Sequence, residues 1–177
     1  MPGGAVLFQK HISEYFVETG SCNGDGIQAA LDAGFKNIIS IELSEHLYNI
    51  CEKRFQDNSC VRIIQGDSSL CLYQAVKDID CKMTFWLDGH YSGEGTAISD
   101  TKEYSPLLKE LDQIKAHGIN NHTILIDDMR LWVNRGNVSN NFGKDEILKK
   151  VREINKNYII SYEDDVCAEQ DILIAQV

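Results

Sequence analysis

Carboxylates recur directly after short apolar runs in this 177-residue sequence. Glu18 follows Phe16-Val17, Glu42 stands in Ile41-Glu42-Leu43, and Asp67 in Gly66-Asp67-Ser68. Asp88 follows Phe85-Trp86-Leu87, and the pair Asp127-Asp128 follows Ile124-Leu125-Ile126. The first of these acids opens the segment Glu18-Thr19-Gly20-Ser21-Cys22-Asn23-Gly24-Asp25-Gly26. Gly20, Gly24 and Gly26 let the backbone turn sharply and approach a ligand without a Cβ in the way. Asn23 and Asp25 tolerate turn conformations and can cap a following helix. On spacing alone such a loop is an ordinary strand-to-helix turn. The other acids give it more content. Glu42 at a strand end can accept hydrogen bonds from both hydroxyls of a ribose, and Asp67, with Ser68 beside it, can receive an adenine amino group. The glycines are ordered GxxxGxG, whereas a dinucleotide loop reads GxGxxG and holds a pyrophosphate on a helix N-terminus. Glu18 would repel that phosphate. A cationic ligand, a sulfonium carrying an ammonium group, suits an acidic loop better.

The second group of acids asks for a different chemistry. Asp88 ends one predicted strand and Asp127-Asp128 end another, and neighbouring parallel strands end side by side. Carboxylates brought together without partners repel one another. A hard divalent cation such as Mg²⁺ relieves the repulsion and takes oxygen ligands. The alternative is that Asp127 and Asp128 merely begin a loop.

The elements that must place these residues are legible as alternating apolar runs and helix-period segments, the mark of a parallel sheet covered on both faces. Strands are expected at 15–18, 37–43, 61–65, 83–87, 123–126, 158–162 and 172–177. Helices are expected at about 26–33, stopping at Gly34, and from Ser44 as N-cap with Leu47, Cys51 and Phe55 on one face. Three more are expected over about 69–76, from Ser105-Pro106 with Leu107, Leu108, Leu111 and Ile114 apolar, and over about 144–154. Between the last two strands Glu163-Asp164-Asp165 leaves no room for a helix, so they must pair as an antiparallel hairpin. Residues 1–177 read as one domain without repeats.

Composition bounds the partners. Seventeen basic against 27 acidic residues give a net charge of -10, and no basic run is visible, so nucleic acid is not expected as the main partner. No apolar stretch is long enough to span a bilayer, and residues 1–10 are too short and mixed for a signal peptide. A cytoplasmic protein is expected. The six cysteines form no CxxC pair and read as small buried hydrophobes rather than disulfides or zinc ligands.

Together the stretches FVETGSCNGDG, SIEL, GDSS, LDGHYSGEGTA and ILIDDMRLW resemble the class I S-adenosylmethionine-dependent methyltransferases, and among them the metal-dependent macrocin-type enzymes that methylate sugar hydroxyls. Catechol O-methyltransferases are more distant relatives with a similar metal site. The resemblance runs from about Tyr15 to Val177. It implies an α/β, Rossmann-like methyltransferase fold: a seven-stranded, mostly parallel sheet with an antiparallel C-terminal hairpin and helices on both faces. It implies S-adenosylmethionine and a divalent metal, Mg²⁺ by expectation, as cofactors. Asp88, Asp127 and Asp128 are then the metal ligands, Glu42 holds the ribose, Asp67 lies near the adenine, and the Glu18–Gly26 loop holds the methionine part. Where the family commonly reads Asp-Gly-Asp after the fourth strand, this sequence has Asp88-Gly89-His90, which makes His90 a candidate proton acceptor. A backbone-anchored loop histidine is the other reading. The family's sugar enzymes also carry extra helices before the first strand, where this chain has 14 residues.

The expected reaction is O-methylation of a sugar or glycan hydroxyl beside a second hydroxyl, with a small-molecule or glycan acceptor, no membrane, and a homodimer among the assemblies allowed. The acceptor pocket is expected from 92–104 and 129–143, with Tyr91, Arg130, Trp132 and Arg135 as candidates. Trp132 is either a platform for a sugar face or a hydrophobe anchoring its loop. Three other functions are compatible with the sequence: methylation of a catechol-like or other small diol, a nicotinamide-dependent reductase, and a non-catalytic cofactor-binding module.

Overall fold

A computed structural model describes residues 4–93, 96–98, 104–133 and 142–177 of the chain. Seven strands form one sheet: β1 (Tyr15–Thr19), β2 (Ile38–Glu42), β3 (Val61–Gln65), β4 (Met83–Leu87), β5 (Thr123–Ile126), β6 (Ile159–Glu163) and β7 (Ile172–Gln176). Their order is β3-β2-β1-β4-β5-β7-β6. The first five pair in parallel, and β7 inserts antiparallel between β5 and β6. The expected closing hairpin is thus present, and with it the expected seven-stranded sheet. Strand order reverses at β1, so the cleft beyond the ends of β1 and β4 is where a ligand belongs in such a sheet.

The helices are α1 (Gly4–Gln9), α2 (Asp25–Ala33), α3 (Glu45–Phe55), α4 (Ser68–Val76), α5 (Leu107–Lys115), α6 (Arg130–Val133) and α7 (Lys144–Ile154). Alternating strand residues feed two cores. Val17, Phe85, Leu87, Ile124 and Leu173 face α4, α5 and α7. Phe16, Trp86, Leu125 and Ile174 face α1, α2 and α3. No helix among the described residues is long and apolar enough to cross a membrane.

Several local expectations change. The sequence pattern does not reveal α1, whose Phe8 packs on Phe16 and Trp86 with ring centroids 4.7 and 5.1 Å away. Gly24, with φ +84°, occupies the N-cap of α2 with no side-chain cap, so neither Asn23 nor Asp25 caps it; Asp25 instead pairs with Arg54 at 2.8 Å. Ser44 caps α3, accepting from the Leu47 amide at 3.4 Å. Pro106 takes the position before the first residue of α5, while Ser105 Oγ accepts from the Leu107 amide at 3.2 Å. All six cysteines are free thiols. Only Cys51 is buried as expected; Cys22 and Cys167 are exposed because both lie on loops.

One buried pair at the foot of the sheet ties stability to pH. His122 is fully buried, and its Nδ1 accepts the Met83 amide at 3.1 Å. Its Nε2 therefore carries the proton and donates to His117 Nδ1, 3.1 Å away. Burial first, then the neighbouring His117, pushes the His122 pKa down from 6.5 to about 4. Below pH 6.5 the unfolded chain takes up a proton that the native ring refuses, so stability present above that pH is lost on the way to pH 4, by about 3 kcal/mol. A His122→Gln variant should show a flatter dependence of unfolding free energy between those pH values. Equal slopes in variant and parent would refute the assignment.

Candidate active site

At the end of β1 the chain turns through Gly20, whose φ is +84°. Its amide donates to Ile41 O at 2.9 Å, and the Asp88 amide donates to Thr19 O at 3.2 Å, so the ends of β1, β2 and β4 are stitched together. A Cβ on Gly20 would lie 2.6 Å from the Asp88 carbonyl oxygen. The loop has to be glycine because the next strand's backbone fills the space.

Glu18 is 1% exposed and accepts a short hydrogen bond from Ser40 Oγ, which also contacts Ser21 Oγ at 2.6 Å. A Cβ on Gly26 would stand 1.8 Å from Glu18 Oε1. Gly26 is therefore the residue that lets the carboxylate lie against the first turn of α2, where the helix dipole favours negative charge. Burial nevertheless pushes its pKa up to about 8, with the Ser40 bond opposing and Asp88, Glu42 and Asp25 adding to the rise.

Glu42, buried at the end of β2, fixes the loop from the other side. Its Oε2 accepts the Cys22 amide at 2.9 Å and its Oε1 accepts the Ser44 amide at 2.8 Å. Each oxygen has further acceptor capacity, and Glu42 lines the cleft. Asp67 caps α4 through the Ser69 amide at 2.9 Å. Ser68 Oγ donates to Glu110 Oε1 at 2.5 Å, and Gln113 Nε2 donates to Ser68 O at 2.7 Å. Glu110, 1% exposed, has a pKa raised to about 7, chiefly by burial. Glu110 is not among the expected site residues, although it sits at a core position of the α5 stripe between Leu107 and Leu111, where an acid is out of pattern.

Beyond β4 and β5 the acids of the described residues split into two overlapping sets. Asp88, His90 and Asp128 offer donor atoms within 4.8 Å of one another, and so do Asp127, Asp128 and Asp171. His90 bridges the first set: Nδ1 lies 3.3 Å from Asp88 Oδ1 and Nε2 lies 2.9 Å from Asp128 Oδ2. Arg130 bridges the second, its Nη1 pairing with both Asp128 Oδ1 and Asp171 Oδ2. The backbone of Asp128 takes φ +58°, which turns its side chain toward the β4 side, while Asp127 Oδ1 accepts the Asp128 amide at 2.8 Å. Burial lowers the His90 pKa, but the bonds to Asp128 and Asp88 outweigh it and carry the ring to about 10. Burial would raise Asp128, yet His90 and Arg130 hold it below its ordinary value. Among the described residues no such cation lies against Asp127, and burial with Asp88 and Asp128 nearby pushes it to about 8. Asp171, fully buried at the start of β7, was not foreseen; the strand pattern carries no sign of it.

Gly20, Cys22, Glu42, Asp67, Ser68, Asp88, His90 and Asp128 all line one cleft of about 990 Å³ including its open mouth, with Tyr91, Tyr104 and Pro106 on its far wall. Tyr91 and Tyr104 meet edge to face at 5.6 Å. Trp132 is 4% exposed and stacks on Phe142 at 4.8 Å, so it anchors its loop in the core and offers no free face to a sugar. Arg135 lies outside the described residues. Oxygen donors from Asp88 and Asp128 with the adjoining imidazole form a chemically suitable set for a divalent cation.

No protein-family model and no curated protein matches the sequence. Solved structures do match in shape. A Podospora anserina methyltransferase bound to S-adenosylhomocysteine superposes with a TM-score of 0.64 at 12% identity, over 98% of this chain and 75% of that one. An O-methyltransferase from Bacillus cereus in complex with S-adenosylhomocysteine gives 0.62 at 13%, over 98% and 78%. The O-methyltransferase TomG of Streptomyces achromogenes, with S-adenosylmethionine, gives 0.58 at 14%, over 99% and 79%. With its strand order and the antiparallel β7, the chain has the Rossmann-like fold of these methyltransferases.

Proposed function

We propose that this protein is an S-adenosylmethionine-dependent O-methyltransferase that uses a divalent cation and acts on a hydroxyl next to a second hydroxyl, on a sugar or glycan. One observation carries the reading: Glu42 and Asp67 at the ends of β2 and β3, and Asp88 and Asp128 beyond β4 and β5, line one continuous cleft with Gly20 from the turn after β1, while Glu18 is buried behind that turn. A cationic nucleoside fits the first group, and a hydroxylic acceptor beside a cation fits the second. Nothing in the Gly20–Gly26 turn offers the pyrophosphate cradle that a nicotinamide cofactor needs.

When bound, the cofactor supplies an electrophilic methyl group on sulfur, and a divalent cation supplies charge that acidifies a nearby hydroxyl. The chain's residues do the rest. Glu18 neutralises the ammonium end, Thr19–Gly26 shapes the methionine path, and Glu42 accepts the ribose hydroxyls. Asp67 and Ser68 border the adenine. Asp88 and Asp128, with Asp127 behind them, would hold the cation; His90 lines the same cleft beside the acceptor's hydroxyl, and the proton would leave to water at the cleft mouth. Alignment of two reactants in one cleft is expected to supply much of the rate.

The test is transfer of labelled methyl from S-adenosylmethionine to a panel of vicinal-diol sugars and catechols, with and without chelator. Chelation, or Asp128→Asn, should lower turnover by on the order of 100-fold or more, a loss of roughly 3 kcal/mol in barrier stabilisation. Undiminished turnover in both would rule out the cation. A panel in which only catechols react would move the acceptor from sugar to aromatic diol.

A further inference from the structure

Resting on that reading, we propose that His90, rather than Asp127, completes the cation site with Asp88 and Asp128, so that the site has a nitrogen donor and prefers first-row transition metals to Mg²⁺. The two donor sets found beyond β4 and β5 are not equivalent. In the set Asp127, Asp128 and Asp171, the guanidinium of Arg130 already sits on Asp128 and Asp171. Asp171 is fully buried and also accepts the Arg130 amide at 2.7 Å, so that corner is closed by a built-in cation. Asp127 itself spends Oδ1 on the Asp128 amide.

The set Asp88, His90 and Asp128 is the one that opens on the ligand cleft, whose wall all three residues share. The His90 amide donates to Asp88 O at 3.0 Å, which folds the segment after β4 back and sets the imidazole between the two carboxylates. Ser92 Oγ stands 3.0 Å from His90 Nε2, a further oxygen at the same spot. Without a metal ion the imidazole ring bridges the two acids. With a cation bound, one ring nitrogen releases its proton to water, its lone pair becomes the third protein donor, and the ion takes over the charge the ring had balanced. Imidazole is a good ligand for Mn²⁺, Fe²⁺, Co²⁺ and Zn²⁺ and a poor one for Mg²⁺, which keeps to oxygen and holds its waters.

The experiment titrates the purified full chain with Mg²⁺, Mn²⁺ and Co²⁺ by calorimetry and records pulsed electron paramagnetic resonance of the Mn²⁺ form. Co²⁺ should bind at least about tenfold more tightly than Mg²⁺. The Mn²⁺ signal should carry ¹⁴N modulation from a directly bound imidazole, and this should disappear in His90→Asn. Asp127→Asn should weaken binding less than His90→Asn does. Three results overturn the proposal: no cation binds, the bound Mn²⁺ shows no nitrogen coupling, or Asp127→Asn abolishes binding while His90→Asn leaves it intact. The spectrum of the unsubstituted protein decides even where a variant does not fold. S-adenosylmethionine binding, measured on the same samples, separates the two readings. Cofactor bound without a nitrogen-coordinated cation overturns this inference alone, and absence of cofactor binding overturns the methyltransferase.

Discussion

Gly20→Ala should abolish measurable S-adenosylmethionine binding and lower the melting temperature by several degrees. Two costs act together. The backbone there has φ +84°, a conformation that an L-residue with a Cβ holds at a cost of about 1 kcal/mol or more. The new Cβ would also lie 2.6 Å from the Asp88 carbonyl oxygen and 3.1 Å from Gly89 Cα. Those are backbone atoms of the segment that carries Asp88 and His90, so relief requires the ends of β1 and β4 to move apart. That movement opens both halves of the cleft at once. An affinity loss of 100-fold or more, equivalent to about 2.7 kcal/mol, is expected by calorimetry. For a chain of this length each kcal/mol of destabilisation moves the melting temperature by roughly 2–4 °C. Gly118→Ala is the control, because a Cβ there meets nothing within 4 Å and φ is not positive. Parental affinity in Gly20→Ala would mean that this turn does not shape the ligand site.

The strands were readable because β1 to β6 are apolar runs each ended by an acid or a glycine. The loop glycines were readable for the same local reason. What escaped the sequence depends on contacts between distant segments. The six residues of α1 have no charge pattern or capping residue, and only the burial of Phe8 against Phe16 and Trp86 explains the helix. Adjacent strand ends correctly predicted that Asp88 would meet acids from β5. They did not predict which of two consecutive aspartates would turn toward it, because that depends on the left-handed backbone at Asp128 and on Arg130 reaching Asp171 across β7. Charge balance in the cleft was equally hidden. His90 and Arg130 are cations placed among acids by the fold, and no spacing rule on the chain couples residue 130 to residue 171. Glu110 is different, since its acid stands inside an apolar helical stripe; the pattern held the signal.

Glu18→Gln should make the empty protein more stable at pH 8 and weaken its hold on the cofactor. In the folded chain burial raises the Glu18 pKa from 4.5 to about 8, so the native state keeps a proton that the unfolded chain gives up. The sign follows: native stability is greatest below pH 4.5 for this group and falls as pH rises toward 8. The accumulated loss is on the order of 3 kcal/mol after allowing for relaxation of a buried group. Glutamine removes the titration and keeps the shape. Its carbonyl can still accept from Ser40, while its amide donors, facing the first turn of α2, lack an acceptor and return about 1 kcal/mol of the gain. The melting temperatures of variant and parent should therefore diverge as pH climbs from 5 to 8, with the variant above. Cofactor affinity should move the other way, by about 10- to 100-fold, because a buried carboxylate interacts with an ammonium group far more strongly than an amide does. The same coupling predicts that S-adenosylmethionine raises the parent's melting temperature more at pH 8 than at pH 6, and that the variant loses this difference. Parallel pH curves, or an unchanged dissociation constant, would show that Glu18 is a structural acid with no part in recognising the ligand.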